Sequence, residues 1–296
     1  MSSVHFYYGE LHKSLPSFGN LAAISHACYA RGKELGFDDI YIDWIPKNAF
    51  LWNENLSYKG NIRIPRGNFL PFKYVIPNDK IKVDKNIDIS KSNSLFDGCP
   101  PLRGEVFSDF ICYSYLNKLY EETGNYQELN IKKSNNEPNV IFHHRESGMN
   151  KQRIRNVKQE YIKDLFDNFK DRYPIKYYKN GEETNFDNEF DIILPYHFNK
   201  IYRLLRIFNN TNLFVSGVCG VLEWTKMLGI PSIFIIPKEF NSDPITEKGW
   251  SAIREENPWI IGKTCIDHVN PSKIFILKEG DNIDYEDLFK FTDKFI

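Results

Sequence analysis

Cysteine is scarce and scattered: Cys28, Cys99, Cys112, Cys219 and Cys265 are all there is in 296 residues. No two are spaced as CxxC, so neither a zinc ribbon nor a disulfide framework is built from them. The natural setting for such a chain is the reducing cytoplasm. Long apolar runs are also missing. Nothing approaches the roughly 18 apolar residues of a membrane span, and the opening stretch MSSVHFYYGELHK has no apolar core of the kind a signal peptide carries. Charge excess of one sign is lacking as well. Lys and Arg total 38 against 39 Asp and Glu, a formal net charge of -1. That balance excludes general nucleic-acid binding, which needs a basic excess, while leaving room for a local basic site. Among motifs, Asp-x-Asp, HExxH, GxSxG and SxxK do not occur, so metal-dependent sugar transfer and serine-hydrolase chemistry find no support.

What is present is an ordinary globular composition, with 42% hydrophobic, 26% charged and 15% aromatic residues. The length suits two domains. Val4–Tyr8 reads as a first strand, followed by a loop through Ser14–Asn20. A helix over Leu21–Leu35 then places Leu21, Ile24, Cys28 and Leu35 on one apolar face and stops at Gly36. Asp39–Trp44 is the next strand, which completes a βαβ unit whose first loop points at a ligand edge. Short strands and loops follow between Asn48 and Asp97, then a helix over Phe107–Glu122. The polar connector Tyr126–Pro138 sets the domain boundary, giving domains 1–137 and 138–296. The closing helix, Tyr285–Phe295, is one that can pack back on the first domain.

The second half alternates strands and helices again: strand 139–142, helix 158–172, strand 175–178, a turn at Asn180-Gly181, strand 190–194, a helical stretch 198–208, strand 213–215, helix 221–228, strand 232–236 and a late strand 275–277. This is the pattern of a parallel α/β layer. Two stretches carry the chemistry. In Asn139–Asn156 an apolar triplet, Val140-Ile141-Phe142, runs into His143, His144 and Arg145. Side chains alternate along a strand, so His143 and Arg145 share a face and His144 lies opposite. A guanidinium at a strand end suits phosphate, because its planar fork holds two oxygens at once. In Phe214–Pro231 a strand enters the turn Ser216-Gly217-Val218-Cys219-Gly220 and a helix starts at once. A helix N-terminus offers unpaired N–H groups to an anion. Glu223, one turn in, can accept from sugar hydroxyls. Cys219 reads as a small filler of the turn rather than a reactive thiol.

Three motifs, in order, resemble those of GDP-fucose-dependent fucosyltransferases of the α-1,2, α-1,6 and protein-O types. They are Phe18-Gly19-Asn20 in the first loop, His143-His144-Arg145, and Leu213–Met227. A second likeness is to heptosyltransferases, whose Gly-Asp…Leu-Pro loop is similar to Gly9-Glu10-Leu-His-Lys-Ser-Leu-Pro16. Both imply the α/β architecture called GT-B, two Rossmann-like domains facing across a cleft, with a nucleotide sugar on the C-terminal one. The resemblance implies that His143 and Arg145 hold the donor pyrophosphate. Ser216, Gly217, Val218 and Cys219 would supply further donors, and Gly19 and Asn20 would reach the phosphate from the other domain. The likeness to heptosyltransferases puts Glu10 in the place of their catalytic acid; an inverting transfer needs a base near the acceptor hydroxyl, for which Glu10, His12 and Glu146 are the candidates. The activity the resemblance implies is inverting, metal-independent sugar transfer to a glycan or other hydroxyl acceptor, with GDP-fucose as one donor and no cofactor. A nucleotide-sugar 2-epimerase and a non-catalytic nucleotide- or glycan-binding protein fit the same scaffold.

Overall fold

The computed structural model describes residues 3–8, 18–44, 72–75, 116, 119, 121–125, 128, 138–146, 156–194, 207–208, 210–217, 219–238 and 270–296. The chain forms two compact units, Met1–Gln127 with His197–Arg203, and Glu128–Tyr196 with Leu204–Ile296. Among the described residues no helix is long and apolar enough to cross a membrane.

In the first unit three strands, β1 (Ser3–Tyr8), β2 (Asp39–Trp44) and β3 (Phe72–Val75), make a parallel sheet in that order. Helix α1 (Phe18–Glu34) connects the first two. The βαβ unit is therefore present, but α1 begins three residues earlier than its periodicity suggests. Phe18, Gly19 and Asn20 form its first turn instead of a loop. Of the face expected from the periodicity, Cys28 is buried, while Leu35 lies just past the end of the helix. Ala22, Ser25, His26, Ala27, Cys28 and Ala30 are buried, whereas Leu35 is 45% exposed. Small residues do the packing because the helix lies close on the sheet. A Cβ on Gly32 would sit 2.6 Å from the Ile40 side chain and 3.3 Å from that of Val4. Gly36 ends the helix with φ of 79°, its N–H donating to the Lys33 carbonyl at 3.0 Å. That left-handed conformation is one glycine adopts without strain.

The second unit is a six-stranded, wholly parallel sheet: β4 (Asn139–His144), β5 (Lys176–Gly181), β6 (Ile192–Ile193), β7 (Leu213–Ser216), β8 (Ser232–Ile236) and β9 (Ile274–Lys278). Its spatial order is β6-β5-β4-β7-β8-β9. Counted from β4, this is 3-2-1-4-5-6, the doubly wound order in which successive strands are added first to one side of β4 and then to the other. The central strands β4, β7 and β8 are buried along their whole length. That is why they read as continuous apolar runs rather than alternating ones. The edge strand β6 carries exposed isoleucines.

Helix α2 (Gln159–Arg172) covers one face. Its Ile162, Leu165, Phe166 and Phe169, at helical spacing, are buried against Val140, Phe142, Tyr177 and Phe190. Phe142 meets Phe166 and Phe169 edge-on, at 5.5 and 5.9 Å between ring centroids. At about 1.5–3 kcal/mol per buried side chain, these four residues alone contribute roughly 6–12 kcal/mol before chain entropy is counted. The opposite face is covered by α3 (Gly220–Met227), with Trp224 and Met227 fully buried. The last helix, α4 (Tyr285–Thr292), is capped by the Asp284 side chain accepting from the Asp287 N–H at 3.0 Å. It packs on α2 of the same unit. Phe289 contacts Phe169 and Tyr173, and Asp293 accepts from Tyr173 at 2.6 Å and from Arg172 at 3.2 Å.

At the carboxyl edge, Glu279 is buried and spans two elements. One oxygen accepts from the Lys158 N–H at the head of α2 at 2.9 Å, and the other from the Lys238 N–H beyond β8 at 3.0 Å.

Candidate functional site

The switch in strand order lies between β4 and β7, where one connection leaves the sheet on each side. In open α/β sheets the crevice at such a point, beyond the carboxyl ends of the strands, is where ligands bind. The residues that end β4 and β7 are those singled out in the sequence: His143, His144 and Arg145 on one, and Ser216, Gly217 and Cys219 on the other.

Parallel register puts Asn180 of β5, His143 of β4 and Ser216 of β7 opposite one another. Their side chains therefore lie in a row on one face of the sheet. The row is buried, and His143 is tied at both ends. Its Nδ1 lies 2.7 Å from Asn180 Oδ1, and its ring also hydrogen-bonds the Cys219 thiol. Cys219 is the N-cap residue of α3, with extended backbone and a half-buried side chain. The Ser216 hydroxyl lies 3.0 Å from the Cys219 sulfur and 2.9 Å from the Gly217 carbonyl, so its single hydrogen serves one or the other. Burial works against the thiolate, but the imidazole, the hydroxyl and the Leu222 N–H outweigh it and bring Cys219 down to about 7. Burial also opposes the imidazolium of His143. The Cys219 contact prevails and raises it, against the opposing charge of Arg145.

Arg145 follows the last residue of β4 and is half-buried. It is close enough for its charge to act on His143. His144 faces the other way, among Lys179, Asp187 and Glu146. It is only 3% exposed, and neither ring nitrogen has a hydrogen-bond partner among the described residues. Burial first, and then the Lys179 ammonium, hold it down to about 4. Lys179, also buried, pairs with Asp187, which accepts in addition from the Thr184 N–H at 3.0 Å.

The structure thus gathers His143, Arg145, Ser216, Gly217 and Cys219 around one switch point. His143 is an internal brace, bonded between Asn180 and Cys219. Cys219, which its size suggests as a filler of the turn, has the His143 imidazole, the Ser216 hydroxyl and the Leu222 N–H about its sulfur. Glu223 lies one turn into α3, with its side chain outside the described residues, as is Val218. Gly19 and Asn20 lie in the first turn of α1 in the other unit. Glu10 and His12 fall outside the described residues.

Asn180 was not legible as a site residue. Asn180-Gly181 reads as a turn, yet both belong to β5, paired with His143 and His144. Gly181 has φ of 105°, and a Cβ there would lie 1.8 Å from the His144 carbonyl oxygen. Only the strand pairing, which no local pattern encodes, reveals why glycine stands there and where Asn180 is placed.

No family model and no curated protein matches the chain. Solved structures similar to it include the E. coli heptosyltransferase WaaC with ADP, at 11% identity and a TM-score of 0.42, covering 99% of this chain and 97% of that one. The glycosyl transferase family 9 protein from Veillonella parvula has 11% identity and a TM-score of 0.47, covering 100% and 92%. The E. coli ADP-heptose LPS heptosyltransferase II has 10% identity and a TM-score of 0.43, covering 99% of each chain. The likenesses are too distant to assign an activity.

Proposed function

We propose that the second unit holds the diphosphate of a nucleotide sugar and that the protein is a glycosyltransferase, moving the sugar to a hydroxyl acceptor without a metal ion. The observation that carries this reading is the switch point between β4 and β7, which sets Arg145 on one side and the N-terminus of α3 on the other. As the bond to the sugar breaks, negative charge grows on the leaving nucleoside diphosphate. A guanidinium and the unpaired N–H groups of a helix start are fixed donors for that charge, and no solvent has to reorganise to supply them.

In this reading Arg145 contacts the diphosphate, and the first turn of α3 with Gly217 supplies backbone donors. His143 keeps Cys219 and the strand ends in place. Glu223 reaches the donor's sugar hydroxyls. The reaction is inverting, with Glu10 or His12 as the base that takes the acceptor's proton. GDP-fucose is one donor to test and ADP-heptose, named for one of the similar solved structures, is another; the acceptor is a glycan or another hydroxyl compound.

The test has two steps. Melting points are first compared with GDP, UDP, ADP and CMP, since a ligand bound only by the folded state raises the melting point. Transfer from the matching sugar nucleotides is then measured for the protein and for Arg145→Ala. Loss of a transition-state donor is worth about a hundredfold in rate. Near-normal transfer by Arg145→Ala overturns the assignment.

A further inference from the structure

The thiol of Cys219 does more than the diphosphate reading asks of it. The register row supplies a chain of contacts, Asn180 to His143 to Cys219, that ends at the head of a helix. Asn180 Oδ1 can only accept, so the His143 nitrogen facing it, Nδ1, carries the hydrogen. The imidazole, which hydrogen-bonds the thiol, is then the group placed to take its proton. The sulfur left behind is an anion at a helix N-terminus. The Ser216 hydroxyl stands 3.0 Å away, free to turn from the Gly217 carbonyl to the sulfur. Such surroundings are those of a reactive cysteine rather than a structural one. The amide of Asn180 is itself buried, and its Nδ2 meets no acceptor among the described residues, which leaves the row with an unused donor. Cys28 is the contrast within the same chain: it is buried under α1, and desolvation alone pushes its thiol far up. Cys219 by comparison is only half-buried as a residue, at the head of a helix.

We propose that Cys219 is a modification site: a thiolate paired with the His143 imidazolium, oriented through Asn180, which reacts with soft electrophiles and with peroxide and, once modified, closes the anion site at the head of α3. The covalent step is a displacement. With iodoacetamide, a bond forms between sulfur and the reagent's methylene carbon, the carbon–iodine bond breaks, and iodide leaves. With hydrogen peroxide, a sulfur–oxygen bond forms and the peroxide O–O bond breaks. Sulfur is oxidised to the sulfenic acid and peroxide is reduced to hydroxide, which takes the proton from His143 and leaves as water. A thiol reductant reverses the second reaction. Either adduct fills the space at the first turn of α3. The claim of closure rests on the diphosphate reading of that turn; the claim of reactivity does not.

Full-length folded protein is treated with iodoacetamide across a pH series, and adducts are counted per cysteine by peptide mass spectrometry. Near neutral pH, Cys219 is expected to react at least about tenfold faster than Cys28, with a rate that has levelled off by about pH 8. His143→Gln should slow it about tenfold and move the rise to higher pH. Asn180→Ala should do so in the same direction, which covers the case in which the first variant fails to fold. A Cys219 rate that still climbs at the pH of an ordinary thiol, or no adduct on the native protein, overturns the proposal. In a second arm, the melting-point rise given by nucleoside diphosphate is compared before and after peroxide and after reduction. Loss and recovery of that rise support closure, and an undiminished rise in fully modified protein overturns it. If Cys219 reacts as expected while no nucleoside diphosphate binds the untreated protein, the diphosphate reading falls and the reactive thiol stands.

Discussion

His144 should make this protein measurably weaker in mild acid. The ring is buried on the α2 face of the sheet, and the groups around it are Lys179, Asp187, Glu146 and, through the strand, His143. Its folded-state value lies below the ordinary one, falling from 6.5 to about 4. Above both values the ring is neutral whether the chain is folded or not, and it contributes nothing to pH dependence. Between them the unfolded chain takes up a proton that the folded one refuses, so stability falls as pH falls. Below the lower value both states are protonated and the effect levels off. The difference corresponds to about 3 kcal/mol, a large part of the stability of an ordinary domain. The perturbation is His144→Leu, similar in volume and without a titrating group. Unfolding free energy from urea titration is compared for the two proteins from about pH 7.5 to about pH 4.5, with other titrations cancelling in the difference. The parent should lose about 2–3 kcal/mol more than the variant over that range. The variant should also start out the more stable, because it no longer buries a donor and an acceptor without partners. Two curves that run parallel would refute the reasoning.

Two further outcomes test the same region. Asp187→Asn leaves the buried Lys179 ammonium without its counter-charge, and should cost about 3–5 kcal/mol in urea unfolding. Adding Lys179→Met should recover much of it, and no recovery would show that the loss had another source. Gly181→Ala forces a side chain into a left-handed conformation, at a cost of about 1–3 kcal/mol. It also drives the Cβ into the His144 carbonyl, so the melting point should drop by several degrees; an unchanged one would mean that β4 and β5 are not paired here as described.

The strands of the second unit were legible because burial on both faces leaves an unmistakable mark. Val140-Ile141-Phe142 and Ser232–Ile236 can be little else, and the polar break after Phe142 locates the ligand edge. What escaped was whatever depends on partners far along the chain. Nothing local says that β7 lies against β4 rather than β6, yet that adjacency alone unites Arg145 with α3. Asn180 was lost for the same reason. Leu35 was misjudged on different grounds. A search for large apolar residues favours Leu35, while the helix packs through Ala22, Ala27, Ala30 and Gly32 because closeness to the sheet matters more than bulk. Cys219 was read by its size, and its chemistry shows only once His143 is seen to touch it.

Glu279 ties the order of assembly to the order of synthesis. The N–H at the head of α2 donates its hydrogen bond to a carboxylate 121 residues later in the chain, and the same carboxylate accepts from the backbone beyond β8. Until β9 has left the ribosome and docked, the first helix of this unit lacks that bond and the ligand edge of the sheet is unlaced. A chain cut short before Glu279 would therefore be expected to lose not merely an edge strand but the firmness of the site at the centre, which makes the tail of the sequence a checkpoint for the whole unit.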